Sequence, residues 1–492
     1  MSDRPKLSWS DLRGAQVGVW GMRREGYASV RRLRAMGVQP VMVDDNPVAG
    51  DPSVLVTSRG GLAALERCDV VVKTPGISRY RPEVARLEAA GVIVTGGLAL
   101  WLREADLGRV ICVTGTKGKS TTTAVLGHLL TGLGHPAMVG GNIGAVPYDP
   151  DTPAAPGPPA APGPGVAPGP AVAPGPAAGL TVSSAGLARS PATPAGGAGR
   201  RYWVIEVSSY QATDLSCTPP VTAVTSLFPD HLDWHGGVEQ YYRDKLSACS
   251  QPGAELTVAN GDSDLLRDRA ALLAPRVGWV SADDEPGADW MAPLGLLGGH
   301  NRRNALIARR CLLALRIPGA DDDSLLRAAA GGYQGLPSRL THIGTVAGVT
   351  FVDDSLSTNV LPALAALDAF PGRRIALIAG GHDRGIDYAP LAAGVLARRA
   401  PTLVLTLPDS GPRIRAAIEE AAAAGAALLA GVTDCPDLDA AVAEGFRWAR
   451  PDGVVLLSPA APSFGRFRDY RERGEAFARA MRSATGTAPQ PG

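Results

Sequence analysis

The stretch Val110-Ile-Cys-Val-Thr-Gly-Thr-Lys-Gly-Lys-Ser-Thr-Thr-Thr123 decides how the rest of the chain reads. A β-branched run ends in a turn with two glycines, and the apolar spacing of Ala124-Val-Leu-Gly-His-Leu-Leu130 predicts a helix after it. Strand, tight loop and helix start leave backbone N–H groups pointing into the loop at the positive end of a helix dipole, where an anion is favoured. Gly115, Thr116, Lys117, Gly118, Lys119, Ser120 and Thr121 therefore form a candidate cradle for a nucleotide triphosphate. Lys119 would supply a point charge for a terminal phosphate, and the Ser120 hydroxyl a ligand for Mg²⁺. The loop is two residues shorter than the common G-x-x-x-x-G-K-[ST] pattern, whose first glycine would fall at Val113.

Upstream, Ala15-Gln-Val-Gly-Val-Trp20 reads as a short buried strand, followed by Gly21-Met-Arg-Arg-Glu-Gly26 and a helix to about Met36. Pro40-Val-Met-Val43 is a second strand ending at Asp44-Asp45, an acid placed where a ribose or base could be met. Val70-Val-Val-Lys-Thr-Pro-Gly-Ile77 and Val92-Ile-Val-Thr-Gly-Gly97 continue the alternation, predicting a first domain over 1–106.

Downstream, the composition collapses to Ala, Pro and Gly between residues 150 and 200. Such a segment buries too little apolar surface to offset its ordering entropy, so a disordered insertion is expected. The strand pattern resumes at Tyr202-Trp-Val-Ile-Glu-Val207, where Glu206 sits in a buried run and calls for a cation. Val221-Thr-Ala-Val224 leads into a polar turn with His231 and His235, Lys245 follows on a helix, and Gly299-His-Asn-Arg-Arg-Asn304 opens another. The central domain is expected over 107–335 and a third over 336–492, in which Thr350–Asn359 and Ile375–Arg384 each end a strand in a turn, Leu403–Leu407 and Val454–Pro459 are further strands, and a long terminal helix runs to about residue 483. The alternation predicts an α/β protein with parallel sheets and functional loops at strand C-termini.

At 492 residues with a net charge of +1, the chain has room for several cores and no electrostatic case for nucleic acid or an acidic membrane. Six cysteines are scattered without a C-x-x-C pair, which suits reduced thiols. The N-terminus lacks an apolar h-region and no run reaches the roughly 18–20 apolar residues of a membrane span. A cytoplasmic protein, acting as a monomer, is expected.

Together these motifs resemble the Mur ligase family, in which ATP activates a carboxylate for amide formation, across the whole chain except the Pro-rich insertion. The family implies three domains: a Rossmann-like N-terminal one, a central P-loop ATPase and a Rossmann-like C-terminal one. Asp353-Asp-Ser-Leu-Ser-Thr-Asn359 and Ser458-Pro-Ala-Ala-Pro-Ser-Phe-Gly-Arg-Phe-Arg-Asp-Tyr-Arg-Glu-Arg-Gly474 resemble the branch that adds glutamate to UDP-N-acetylmuramoyl-L-alanine. The branches adding other residues carry an Asp-Tyr-Ala-His type motif at the first position. Cofactors implied are ATP and Mg²⁺, and the place implied is peptidoglycan synthesis, hence cell-wall growth, shape and division. Lys119, His231 and Lys245 would be catalytic. Ser120, Glu206, His231 and Lys245, the last as a carbamate, would serve the metal. Asn301, Asn304, Arg339 and Asp354 would hold adenine, ribose and phosphates. Gly21, Arg24, Glu25, Asp44, Asp45, Gly76 and Asn142 would line the sugar-nucleotide site, and Ser357, Thr358, Arg384, Ser463, Phe464 and Tyr470 the amino-acid site.

The chain departs from the usual D-glutamate pattern where that incoming amino acid is clamped. Two lysines are replaced, one by Leu356 and one by Arg384, an aromatic becomes Tyr470, and the histidine before Arg339 becomes Ser338. Losing an ammonium partner costs about 1–3 kcal/mol, and an arginine fork prefers a different carboxylate placement from a point charge. A rebuilt pocket suggests a rebuilt stereochemical preference, for L-glutamate with a separate epimerase acting afterwards. Trp20-Gly-Met-Arg-Arg-Glu-Gly26 also resembles that variant. A D-glutamate ligase, or an inactive binding protein of the same fold, remain the alternatives. Excising residues 150–200 is expected to leave ligase activity intact, measured as substrate-dependent phosphate release; complete loss of soluble protein would contradict this.

Overall fold

The structure, a computed structural model, describes residues 4–152, 201–423, 425 and 428–486. Most of the expected insertion, 153–200, lies outside the described residues. The described chain divides between Gly335 and Leu336 into two compact units.

The first unit holds two parallel sheets. One is built from β1 (Val17–Trp20), β2 (Val41–Asp44), β3 (Leu55–Val56), β4 (Val70–Lys73) and β5 (Ile93–Gly96) in the order 3-2-1-4-5. The other is built from β6 (Val110–Thr114), β7 (Ala137–Gly141), β8 (Tyr202–Glu206), β9 (Val221–Val224), β10 (Leu256–Asn260) and β11 (Arg276–Val280) in the order 11-10-9-6-8-7. All five residues of β6 are buried, as expected of a central parallel strand covered on both faces. Each full side chain of that kind contributes roughly 1.5–3 kcal/mol on burial. The core beneath the first sheet runs on into the second, because Val19, Leu98 and Leu100 pack in one cluster with Cys112, Ile205 and Leu215.

The helix after β6 covers Lys119–Gly132, five residues earlier than the apolar spacing alone predicts. Ser120 and three threonines are weak helix formers, yet Gly118 at φ 88° turns the chain and the Thr122 N–H donates to its carbonyl at 3.0 Å. Burial of Ser120, Thr121, Thr122 and Thr123 overrides their local preference.

The second unit carries β12 (Thr341–Val346), β13 (Val349–Asp353), β14 (Ile375–Ala379), β15 (Thr402–Thr406), β16 (Leu429–Asp434) and β17 (Val454–Leu457), ordered 12-13-17-14-15-16. The edge strand β12 is antiparallel to β13 and the other pairings are parallel. The terminal helix runs Tyr470–Thr485, capped by Asp469, which accepts the N–H groups of Arg471 and Glu472. All six cysteines are buried and unpaired. No helix among the described residues is long and apolar enough to cross a membrane.

β13 ends in two buried acids. Asp354 accepts the Ser458 hydroxyl at 2.8 Å, the Ser357 hydroxyl and the Leu340 N–H at 3.2 Å. Burial nevertheless pushes its carboxyl up to about 7. Since the folded form holds a proton there that the unfolded chain releases near its ordinary value of 3.8, stability falls as pH rises from about 4 to about 7 and is flat above. Urea denaturation of the wild type and Asp354→Asn across that range is expected to show this decline only in the wild type; parallel pH profiles would contradict it.

Candidate active site

The loop between β6 and the Lys119–Gly132 helix is threaded through a narrow gap. A Cβ on Gly115, at φ 136°, would lie 2.2 Å from the Thr225 hydroxyl oxygen, and one on Gly118 would lie 2.8 Å from Asn304 Oδ1. Only glycine fits either position. The loop is also braced from below. The Thr116 N–H donates to the Ser226 carbonyl at 2.8 Å, the Lys117 N–H donates to the Ser226 hydroxyl at 2.8 Å, and the Thr116 hydroxyl meets the Tyr241 hydroxyl at 2.8 Å. β9 and the helix bearing Tyr241 thus hold the loop open.

Two lysines converge on this loop. Lys119 Nζ donates to the Gly115 and Thr116 carbonyls at 2.8 and 3.0 Å, and Lys245 Nζ donates to the same Gly115 carbonyl at 3.0 Å. Lys245 is 2% exposed and lies 5.1 Å from the centre of the Tyr241 ring. Burial, and then the neighbouring Lys119, drive its ammonium well below the usual lysine range.

Glu206 ends β8 in register with Val113 of β6 and Gly141 of β7. It is 1% exposed; Oε1 accepts the Asn142 amide at 2.8 Å, whereas Oε2 is buried with no hydrogen-bond partner. A buried carboxylate oxygen left in that state fits a hard divalent cation. Ser120 is buried at the start of the helix. No three His, Cys, Asp or Glu residues among the described ones cluster as a metal cage. Mg²⁺ is commonly held by one or two carboxylates together with phosphates. His231 stands off this group at the exposed mouth, with φ 52°, its ring 5.1 Å from Tyr210 and Nε2 3.7 Å from Asp230. Partial burial lowers its affinity for a proton, leaving a neutral imidazole as a ligand or acceptor.

Asn301 and Asn304 open the Gly299–Ala314 helix and hydrogen-bond to each other at 3.2 Å, with Asn304 against the loop. From the first sheet, Arg24 reaches the loop after β7, donating to the carbonyls of Gly141 at 2.6 Å, Gly144 at 3.0 Å and Asn142 at 3.3 Å. Glu25 accepts the Gln211 amide at 2.9 Å, and burial pushes its carboxyl up to about 7. Gly21, at φ 100°, abuts Thr74, where a Cβ would clash. Asp44 accepts the Met22 N–H at 2.6 Å. Arg24, Glu25 and Asn142 are therefore brought to the central sheet. Asp45 is instead bound to Arg81 and Thr57, and Gly76 is open to solvent.

In the second unit, buried Arg473 donates to the carbonyls of Ser355 at 2.7 Å and Ala461 at 3.1 Å, and the Gly380–His382 loop pairs with the 459–462 loop. Ser463 and buried Ser357 lie on the loops so joined. Thr358 is half-buried, and Arg384 stacks 5.5 Å from the centre of the exposed Phe464 ring. Tyr470 begins the terminal helix, and Arg339 follows Ser338, whose hydroxyl donates to Asp353 at 2.8 Å. Sequence reasoning missed Tyr241, Thr225, Ser226, Ser458 and Arg473. Tyr241, four residues before Lys245 on one helix face, was the one with a local signal.

The sequence of residues 113–292 matches the Mur ligase middle domain, and residues 338–461 match the Mur ligase, glutamate ligase domain. A UDP-N-acetylmuramoyl-L-alanine--L-glutamate ligase from Micromonospora sp. is 39% identical over 97% of this chain and 98% of its own length. Proteins of the same name from Salinispora tropica and Xanthomonas euvesicatoria are 38% and 36% identical, covering 97% and 95% of this chain and 99% and 95% of theirs. Among solved structures, UDP-N-acetylmuramate-alanine ligase from Thermotoga maritima shares the fold, with a TM-score of 0.51 at 17% identity over 96% of this chain and 100% of that one. With two domain matches and near-full-length relatives around a braced phosphate loop, the chain belongs to the Mur ligase family of amide-forming ligases.

Proposed function

We propose that the protein joins L-glutamate to UDP-N-acetylmuramoyl-L-alanine at the expense of ATP. The observation that carries the nucleotide chemistry is Glu206, a sealed carboxylate with an unpartnered oxygen beside the phosphate loop. The substrate choice is supported by the relatives that bear this activity in their name.

In this reading the backbone N–H groups and Lys119 receive the β and γ phosphates, and Asn301 and Asn304 position the nucleoside. Arg339 and Asp354, on the C-terminal unit, keep the nucleotide role assigned above. Mg²⁺, when bound through Glu206 and Ser120, supplies positive charge against phosphate oxygens as charge develops there. The free amine of Lys245 adds to CO₂, forming an N–C bond and releasing one proton, which turns the lysine into an anionic ligand. His231 stands at the mouth as a neutral ligand for a second Mg²⁺. Arg24, Glu25 and Asn142 hold the sugar nucleotide with Gly21, Asp44, Asp45 and Gly76. Its alanyl carboxylate takes the γ-phosphoryl group and gives an acyl phosphate. The glutamate amine then displaces phosphate, leaving the dipeptidyl nucleotide, ADP and phosphate.

The preference for the L form rests on Leu356, which offers no charge, and on the Arg384 guanidinium stacked on Phe464. A planar fork fixed over a ring accepts a carboxylate edge-on, in one orientation. Ser357, Thr358, Ser463 and Tyr470 complete that pocket, and a separate epimerase would invert the terminal residue afterwards.

Purified protein with ATP, Mg²⁺ and UDP-N-acetylmuramoyl-L-alanine is expected to turn over L-glutamate in preference to D-glutamate, read as phosphate release; the opposite preference would reject the stereochemical assignment. Lys119→Ala and Glu206→Gln are each expected to lower kcat by about 10²–10³-fold, the usual loss when one fixed stabiliser of developing charge is removed. Unchanged peptide-bond synthesis in both variants would sink the site.

A further inference from the structure

Beyond the phosphate loop, the first unit contains a polar chain, buried at His235 and Asp244, that none of the proposed roles uses. His235 is 2% exposed; its Nδ1 lies 2.6 Å from Asp244 Oδ2 and its Nε2 3.0 Å from the Ser209 hydroxyl. A carboxylate only accepts, so a proton sits on Nδ1, while Nε2 shares the second hydrogen bond with the Ser209 hydroxyl. Asp244 also accepts the Tyr80 hydroxyl at 2.7 and 2.8 Å and the Gln240 amide at 2.8 Å. Tyr80 comes from the loop after β4, and its neighbour Ser78 donates to the Trp234 carbonyl at 3.0 Å. Aromatic rings enclose the imidazole, with Trp234, Tyr241 and Tyr210 centred 4.5, 5.2 and 5.6 Å away.

The two ends of this chain matter. Ser209 begins the short helix that follows Glu206 at the end of β8, and Asp244 directly precedes Lys245. A phenylalanine would fill the same apolar cage without desolvating a carboxylate and an imidazole. What directional hydrogen bonds add is register between the elements they join.

We propose that His235, held between Ser209 and Asp244 and backed by Tyr80, is a positioning residue. It sets the register of the Lys245 helix against the strand end that carries Glu206, keeping the Lys245 amine where its carbamate forms and persists. The inference rests on the carbamate reading of Lys245.

The test uses the full chain with ¹³C-bicarbonate, reading the lysine carbamate resonance by NMR and, separately, the bicarbonate concentration that gives half-maximal ligase activity. Tyr80→Phe and His235→Phe are expected to raise that concentration about tenfold, the effect of losing a hydrogen bond to a charged group. Both should weaken the carbamate resonance, with KM for glutamate unchanged. His235→Asn, which can still donate to Asp244, is expected to recover part of the loss. Tyr80 is 48% exposed, so Tyr80→Phe carries the test if His235→Phe does not fold. A carbamate in the wild type with the same bicarbonate dependence in the variants would overturn the positioning role alone. Absence of any carbamate in the wild type would overturn the reading of Lys245 and this inference with it.

Discussion

The centre of this protein is a length of backbone confined on two sides. Between β6 and the following helix, the main chain hydrogen-bonds to the segment after β9 on one side and on the other leaves no room for a Cβ beside Asn304. That confinement admits no Cβ at Gly115 or Gly118, and it leaves the loop stiff before any ligand arrives. Bonds from the Thr116 and Lys117 N–H groups to Ser226, and between the Thr116 and Tyr241 hydroxyls, hold the loop in place, so less ordering entropy is lost when a ligand binds.

The same gap explains why two lysines share one carbonyl. Lys119 and Lys245 both donate to Gly115, so each raises the electrostatic cost of charge on the other. Lys119 stands nearer solvent and Lys245 is sealed, so burial disfavours the charge on Lys245 more. On the other flank, Glu206 gives one oxygen to Asn142 and leaves the other buried without a hydrogen-bond partner. Lysines and a carboxylate are thus gathered about the loop, and fixed groups of this kind are how a site prepares for charge that develops during reaction.

The C-terminal unit solves a related problem differently. Its loops follow β13, β14 and β17, which are neighbours in the sheet but far apart in sequence. Buried Arg473 ties the Ser355 and Ala461 carbonyls, while Ser458 and Ser357 both donate to Asp354. Hydroxyl and guanidinium donors replace the backbone ladder where the strands end. The Arg384 and Phe464 stack rides on loops fixed in this way.

The chain alone determined the alternation of strand and helix, the phosphate loop, the buried setting of Glu206, the helix bearing Lys245 and the family it resembles. These are legible because hydrophobic period and glycine-rich turns are local signals. It did not determine the early start of the helix at Lys119, because burial outweighed the weak propensities of Ser120 and the threonines. Nor did it determine the antiparallel edge strand β12 or the bracing by Thr225, Ser226 and Tyr241, the last of which had only a faint helical spacing to mark it. The shared Gly115 carbonyl and the unpartnered oxygen of Glu206 were decided by the tertiary structure alone, since both depend on strands distant in sequence lying side by side in the sheet.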